Sequence, residues 1–591
     1  MPVHRRSFVL VVASLIMLLA GTTWLGSQAP PTAAAGRNFP LPGGDFGNQR
    51  YSPLKQIAPS NIARLGGAWM VHVMDGTPGT LQATPIVVDG VMYVATEPGG
   101  GVMALDAATG AVKWKHRPLE NAPRSISRGV AVADGKVFAG AGGNTLMALD
   151  ARDGSTLWTA SVGEGGGLLA APMVYGGRVY VGASGGEAGV RGSFSAFDAT
   201  TGKEVWRFWL VPGPGAPGNE TWEGESWRRG GAPVWTHPAI DPALGTVYVA
   251  TGNAWPDFDG SNRGGDNLFT VSVVALDLVT GAYKWHFQEV HHDIWDYDDV
   301  VSPVLADVTF QGQPRKILMH SGKTGLMYIL DRTNGRPLIG IDERAVPQEP
   351  RIKTSKTQPF PVGDSYVPTC PDPGSVPAGM KSGCIFTPYF DEPVVIAPGT
   401  QGGMTWAPMT YSPDTRLLYV PGSIIHSAFT HQGSFARPPM AARSGTLTAM
   451  NPLTNKIVWQ KALKYPIGGG SGLLSTATGL LFHGEADGRI LAWDIRNGDE
   501  LWSFQTGAGA NAPVVTYEVG GEQYVAILSG GTRTYQLSAP GDSLWAFKIG
   551  GTLPPAAAPP EPPTVEPMRG GGGRATPPAG NPGAPPAGGR Q

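Results

Sequence analysis

An eleven-residue unit recurs along this chain, and no other feature limits the fold so strongly. Ala104-Leu-Asp-Ala-Ala-Thr-Gly-Ala-Val-Lys-Trp114 returns as Ala148 to Trp158, Ala196 to Trp206, Ala275 to Trp285, Ala449 to Trp459 and Ala492 to Trp502. A degenerate copy, Ile329 to Ile339, lacks the Trp. Each unit reads as a strand ending in Asp, a tight turn carrying Gly, and a second strand ending in Trp. The Trp offers a large flat surface for burial against a neighbour. After most Trp residues a second hairpin follows, as in Thr84 to Val94, Ala171 to Val181 and Ala512 to Val525. About four strands per repeat make a propeller blade. Trp69, the six Trp-bearing copies and the degenerate copy together predict an all-β, eight-bladed β-propeller with tryptophan-docking repeats. Ser543 to Ile549 reads as a last strand that pairs with an N-terminal blade and closes the ring. The long spacings, Trp206 to Trp285 and Ile339 to Trp459, predict insertions that form loops on one face, where function usually sits.

The propeller is expected over 36–550 of the 591 residues. Residues 1–35 read as an export signal or an N-terminal anchor. His4-Arg5-Arg6 precedes an apolar run from Phe8 to Ala20, and Ala33-Ala34-Ala35 offers a cleavage site. No other long apolar stretch exists, so no membrane span is expected after cleavage, and the location is periplasmic, with tethering if the signal stays. Residues 551–591 are Pro, Ala and Gly with few apolar side chains, and are expected to be a disordered tail. A net charge of −2 offers no basic field for nucleic acid. The two cysteines, Cys370 and Cys384, lie close together in a Pro/Gly-rich loop, and in an exported chain the leading reading is a local disulfide. No Cys-x-x-Cys-His is present, so no covalently held c-type haem is encoded.

His291-His-Asp-Ile-Trp-Asp-Tyr-Asp-Asp299 packs two histidines and four carboxylates into nine residues. In an extended segment Asp296 and Asp298 point to the same face. Two carboxylates so placed repel unless a cation or a shared proton sits between them. No third His or Cys stands at zinc-like spacing, so His291 and His292 read as supporting rather than ligating. His237, His426 and His431 are candidates for the substrate side. There is no dinucleotide-binding Gly pattern, phosphate loop or nucleophile elbow.

The Trp repeat together with the stretch around Asp296 resembles the pyrroloquinoline quinone (PQQ) dependent alcohol and glucose dehydrogenases. The likeness runs from Gly44-Asp-Phe-Gly-Asn-Gln-Arg-Tyr-Ser-Pro53 to Ile549. It implies an exported oxidoreductase that turns an alcohol or sugar hydroxyl into a carbonyl and passes electrons to a cytochrome c or another acceptor. It implies Asp296 as catalytic base and Lys323, in Ser-Gly-Lys-Thr-Gly, as the cation beside the reactive quinone oxygens. Glu187, Asn253 and Asp296 match the metal ligands. Asp298 matches the extra carboxylate of lanthanide-using members, although some sugar-oxidising relatives carry it too; calcium and lanthanide both stay open, ahead of magnesium. Trp235 matches the indole under the quinone plane. Ser184, Gly185 and Gly186 would let backbone amides approach the anionic ring, and Gln82 and Arg128 match further cofactor contacts.

This chain departs from the family in four places. The segment Asn121 to Arg128 has no cysteine where several alcohol-oxidising relatives form a disulfide ring. Leu169 stands where a Thr is common, Thr405 precedes Trp406 where many relatives have Asn, and a Trp common near Gly469 is absent. The alternatives to a dehydrogenase are a non-catalytic propeller scaffold of the cell envelope and a lapsed quinoprotein.

Overall fold

The computed structural model describes residues 36–567 apart from 97–98, 119–125, 164–165, 432–433, 437, 439–440 and 533–536. The expected export signal and the end of the tail therefore lie outside the described residues, as does most of the cysteine-free segment before Arg128. Among the described residues the regular structure is strand and short 3-10 helix.

Strands assemble in succession into small antiparallel sheets. Sheet 1 holds Ile86–Val88, Val91–Ala95, Val102–Asp106 and Val112–His116, paired in chain order. The same meander recurs in sheet 2 (131–161), sheet 3 (173–209) and sheet 4 (239–288). Sheet 5 has three strands between 304 and 331. Sheet 6 spans 410–463, and sheet 7 adds Tyr51–Ser52 to strands between 474 and 505. Sheet 8 joins the two ends of the chain: Leu65–His72 lies antiparallel to Ser543–Ile549, with Leu65 opposite Ile549 and His72 opposite Ser543. The closing strand expected from the sequence thus pairs with the N-terminal strand that carries Trp69.

Each repeat Trp packs on the turn of the following repeat. Asp106 shows how that turn is built: its Oδ1 accepts bonds from the amides of Ala108 and Thr109 and from the Thr109 hydroxyl, and its carbonyl accepts from Gly110 N. Gly110 has φ +75°, and a Cβ there would meet the Trp69 ring at 2.7 Å. The indole N–H of Trp69 donates to Ala107 O at 3.2 Å. The same docking joins Trp114 to Gly154, Trp158 to Gly202, Trp206 to Gly281, Trp285 to Gly335 and Trp459 to Gly498. Trp502 donates to Leu65 O in sheet 8. Glycine serves twice here, by its left-handed backbone and by leaving room for the ring.

The degenerate copy leaves the junction of sheets 5 and 6 without an indole. A chain segment takes its place. Asn455, at the position of the turn glycine with φ +53°, donates through Nδ2 to Met327 O and Val362 O. Asp364 N donates to Asn455 O, and the Asp364 carboxylate accepts from Ile457 N and pairs with Lys456.

One expectation needs correction at the C-terminal end. Residues 551–567 are not a free tail. Leu553 bridges to Gly67, Ala556 N donates to Gln505 O, and Glu566 forms a buried ion pair with Arg443. The segment is poor in apolar side chains, but backbone bonds and one buried charge pair hold it. Cys370 and Cys384 are joined by a disulfide.

The docking carries a stability prediction. Gly154→Ala forces both a left-handed Ala, costing about 1–2 kcal/mol, and a clash with the Trp114 ring at 2.5 Å, adding about 1–3 kcal/mol. Gly215→Ala has a similar φ of +83° but open space around it, so only the first cost applies. Chemical denaturation should show a clearly larger loss for Gly154→Ala. Equal losses would mean that the indole contact contributes nothing.

Candidate active site

The acidic stretch leaves sheet 4 after Gln288 and enters sheet 5 at Val304. It is not extended, because Asp296 turns the backbone with φ +57°. Asp293 supports that turn, its carboxylate accepting from the amides of Trp295 and Tyr297, and burial pushes its carboxyl up to about 6. His292 is held between Gly265 O and Ile352 O, and His291 between Gln288 and Glu343. Both histidines fasten the loop.

Asp296 and Asp298 still converge, because a cation sits between them. Lys323 Nζ lies 2.7 Å from Asp298 Oδ2, 2.7 Å from Asp296 O and 3.0 Å from Asp296 Oδ2. Lys323 is only 4% exposed, so this charge acts with little screening by water. Asp298 Oδ1 accepts from the Asn253 amide at 2.8 Å, an approach possible only because residue 252 is Gly, whose Cβ would lie 2.1 Å from that oxygen.

Asn253 brings in a fourth carboxylate that the sequence reading missed. Its Nδ2 donates to Ala254 O and to Asp257 Oδ1 at 2.7 Å. This turns Oδ1 the other way, where it is buried with no hydrogen-bond partner. A Cβ on Gly186 would meet that oxygen at 2.8 Å, so Asn253 packs against the turn Gly186–Ala188 that carries Glu187. Burial raises the Glu187 carboxyl, and Asp298 raises it further. Asp257 is pushed up to about 8 by burial, then by the charges of Glu187, Asp298 and Asp293. Asp296 is raised well above its ordinary value by burial and by Asp298, Asp257 and Glu187, against the pull of Lys323. A set of carboxylates held this close with one lysine is short of positive charge. The orphaned Asn253 Oδ1 and Asp296 Oδ1 are oxygen donors for a hard cation. Glu187, Asn253, Asp296 and Asp298 therefore fit a metal, with Asp257 beside them.

A cavity of about 320 Å³ opens over this group, lined among others by Arg128, Leu169, Ser184, Gly185, Trp235, Thr400 and Gln401. That volume suits a compact planar ligand. The Arg128 guanidinium lies 4.6 Å from the Trp235 ring and 4.7 Å from the Trp406 ring, so two indoles bracket one cation. An anionic ring system would meet an aromatic wall, Arg128 and Lys323 here, and the residues fit such a group. Part of the expected contact set is placed otherwise. The Ser184 amide and hydroxyl are both engaged with Gly167 O, leaving the backbone beyond it to face the cavity. Thr405 and Trp406 are buried and are not among the residues lining the cavity, which Trp406 meets through Arg128, and Gln82 is buried two residues before Thr84, whose amide bonds Arg128 O. Thr405 Oγ1, Trp406 Nε1 and Gln82 Oε1 have no hydrogen-bond partner among the described residues. His237, His426 and His431 do not line the cavity.

A larger cavity of about 1,100 Å³ lies beside Asp241, Asp307 and Arg332. Arg332 pairs with both carboxylates at 2.7 Å, and none of the residues singled out in the sequence as site candidates lines this cavity.

A family profile described as "PQQ: Glucose/ethanol/alcohol dehydrogenase, beta-propeller domain" matches residues 39–434 and 437–525. The quinohemoprotein alcohol dehydrogenase of Comamonas testosteroni is 35% identical over 555 residues, covering 86% of this chain and 74% of the relative. Its crystal structure superposes with a TM-score of 0.75 over 89% of this chain and 82% of that one. A 1-butanol dehydrogenase (cytochrome c) of Thauera butanivorans is 34% identical, covering 88% of this chain and 79% of the relative. A europium-containing methanol dehydrogenase structure matches at 27% identity with a TM-score of 0.71, over 87% of this chain and 98% of that one.

The charge deficit predicts proton release on cation binding. At neutral pH Asp257 is largely protonated in the metal-free protein. A bound cation favours the ionised form, so affinity should rise with pH through about 8. Calorimetric titration with La³⁺ in buffers of different ionisation enthalpy should report net proton release, smaller in Asp257→Asn. No release in either protein would mean that the carboxylates were ionised already.

Proposed function

The chain belongs to the PQQ-dependent glucose/ethanol/alcohol dehydrogenase family, and from that premise we propose that it oxidises an alcohol to a carbonyl, with Asp296 as the base. The observation that carries the reading is the convergence of Glu187, Asn253, Asp296, Asp298 and Lys323 under one cavity walled by Trp235. Glu187, Asn253 and Asp296 would hold the metal and Trp235 and Arg128 the quinone, and the pair when bound would supply the acceptor for the hydride of the substrate carbon. The protein does the rest. The Asp296 carboxylate takes the proton of the substrate hydroxyl. Lys323 fixes that carboxylate and places a positive charge where negative charge grows. Arg128, bracketed by Trp235 and Trp406, orients the anionic edge of the cofactor.

The eight-bladed ring over 36–550 is part of the same proposal, supported by sheets 1 to 8 and by indole docking at their junctions other than that of sheets 5 and 6; two further sheets, within 341–361 and 381–436, fall in the long spacing between Ile339 and Trp459. So are a periplasmic location and an export signal over 1–35; no helix among the described residues is long and apolar enough to cross a membrane. The Cys370–Cys384 disulfide suits an oxidising compartment. Cytochrome c is the candidate electron acceptor, as it is in the name of the 1-butanol dehydrogenase relative.

Reconstitution tests the proposal. Purified protein with PQQ and either Ca²⁺ or La³⁺ should reduce an artificial dye with alcohols, and a panel of sugars and polyols would define the range. Asp296→Asn should lower kcat by about 10²–10⁴-fold while the absorbance of bound PQQ persists. Absence of turnover under every combination would overturn the dehydrogenase reading and leave a scaffold or lapsed quinoprotein.

A further inference from the structure

Directly behind the active-site loop lies a second group of ligating side chains that the chemistry above does not use. Glu289, Asp299 and His320 are all fully buried, and one ligand atom from each lies within 4.8 Å of the others. They come from three places: Glu289 follows sheet 4, Asp299 follows Asp298 in the loop, and His320 sits in the strand that leads to Lys323.

The hydrogen bonding of this group is incomplete in a specific way. His320 Nε2 lies 2.7 Å from Val301 O, and a carbonyl can only accept, so Nε2 carries the hydrogen. In the neutral ring Nδ1 is then a lone pair, and it faces Glu289 Oε1 at 2.7 Å. Two acceptors do not stand that close without a cation or a proton between them. Both carboxylate oxygens of Asp299, and Glu289 Oε2, have no hydrogen-bond partner among the described residues. Asp299 is pressed against residue 322, where a Cβ would lie 1.8 Å from Oδ1, so glycine is required for the carboxylate to fit.

Protons alone leave the account open. An imidazolium paired with Glu289 leaves a fully buried Asp299 carboxylate with no donor, which is costly, and a further proton on Asp299 would have only Glu289 Oε2, an oxygen also without a partner, to be shared with. A divalent cation among the three satisfies Nδ1 and the orphaned oxygens together and balances both carboxylates. An imidazole held by a carbonyl through its other nitrogen is the usual posture of a ligating histidine. One nitrogen and two carboxylates suit Zn²⁺ or Mn²⁺, whereas Ca²⁺ and Mg²⁺ prefer oxygen alone.

We propose that Glu289, Asp299 and His320 hold a second, structural metal ion of the Zn²⁺ or Mn²⁺ class beneath the active site. The site has no exposed side for a substrate, so the ion is taken up as the protein folds. It ties the loop that carries Asp296 and Asp298 to the strand that carries Lys323.

The full chain, purified without added PQQ and passed through a mild chelator, should retain about one equivalent of Zn or Mn per chain. Crystals should give an anomalous peak between the three side chains. Glu187→Gln, which removes a ligand of the quinone-side metal only, should keep that equivalent, while His320→Ala and Asp299→Asn should lose it. Wild-type protein grown with zinc and manganese that shows neither metal at this position overturns the proposal, whether or not the variants fold. Unchanged retention in His320→Ala, or retention lost in Glu187→Gln, overturns it too.

Discussion

The contact of an indole with the glycine turn of the next repeat sets the architecture. A four-stranded sheet buries only part of its surface by itself, and each needs a partner on both faces. The repeat supplies this in one register, because the Trp lies a fixed four residues after the turn glycine of its own unit and docks on the turn glycine of the following one. Where Ile339 replaces the Trp, the partner is found elsewhere, in the segment that brings Asp364 onto Asn455. The junction matters more than the residue that fills it.

The same arrangement decides where chemistry can sit. Loops that leave successive sheets meet at one end, so residues far apart in the chain gather at a single point: Glu187 from sheet 3, Asn253 and Asp257 from sheet 4, Asp296 and Asp298 between sheets 4 and 5, Lys323 from sheet 5. Close approach depends on small residues. Gly186, Gly252 and Gly322 each stand where a Cβ would strike Asn253, Asp298 or Asp299. Buried charges are tolerated because they are shared, with Lys323 bound to two carboxylates at once.

Much of this was legible in the residues. The repeat stated the strands, the turns, the docking surface and the strand that closes the chain, because each rests on a local pattern with a direct physical meaning. The need for a cation between Asp296 and Asp298 was equally readable, although its source was not: the extended backbone assumed for the pair is absent, and Lys323 joins them instead. Three features escaped. Asp257 has no motif of its own and matters only because Asn253 donates to it. Glu289 and His320 lie 31 residues apart, one just after sheet 4 and the other in a strand of sheet 5, and meet only through their side chains. Residues 551–567 look like a free tail by composition, which does not register backbone bonds or the single Arg443–Glu566 pair.

Asp257 also changes the argument about which ion the site holds. The sequence points to Asp298 as the deciding residue, but both of its oxygens are already engaged, one by the Asn253 amide and one by Lys323. Four ionised carboxylates against one ammonium leave three negative charges, which a trivalent lanthanide neutralises. A divalent ion would leave one of those charges to be cancelled by a proton, and Asp257, Asp296 and Glu187 are the carboxyls whose burial raises them toward holding it. Besides its place among the candidate ligands, Asp298 joins Lys323 to Asn253 through its two oxygens.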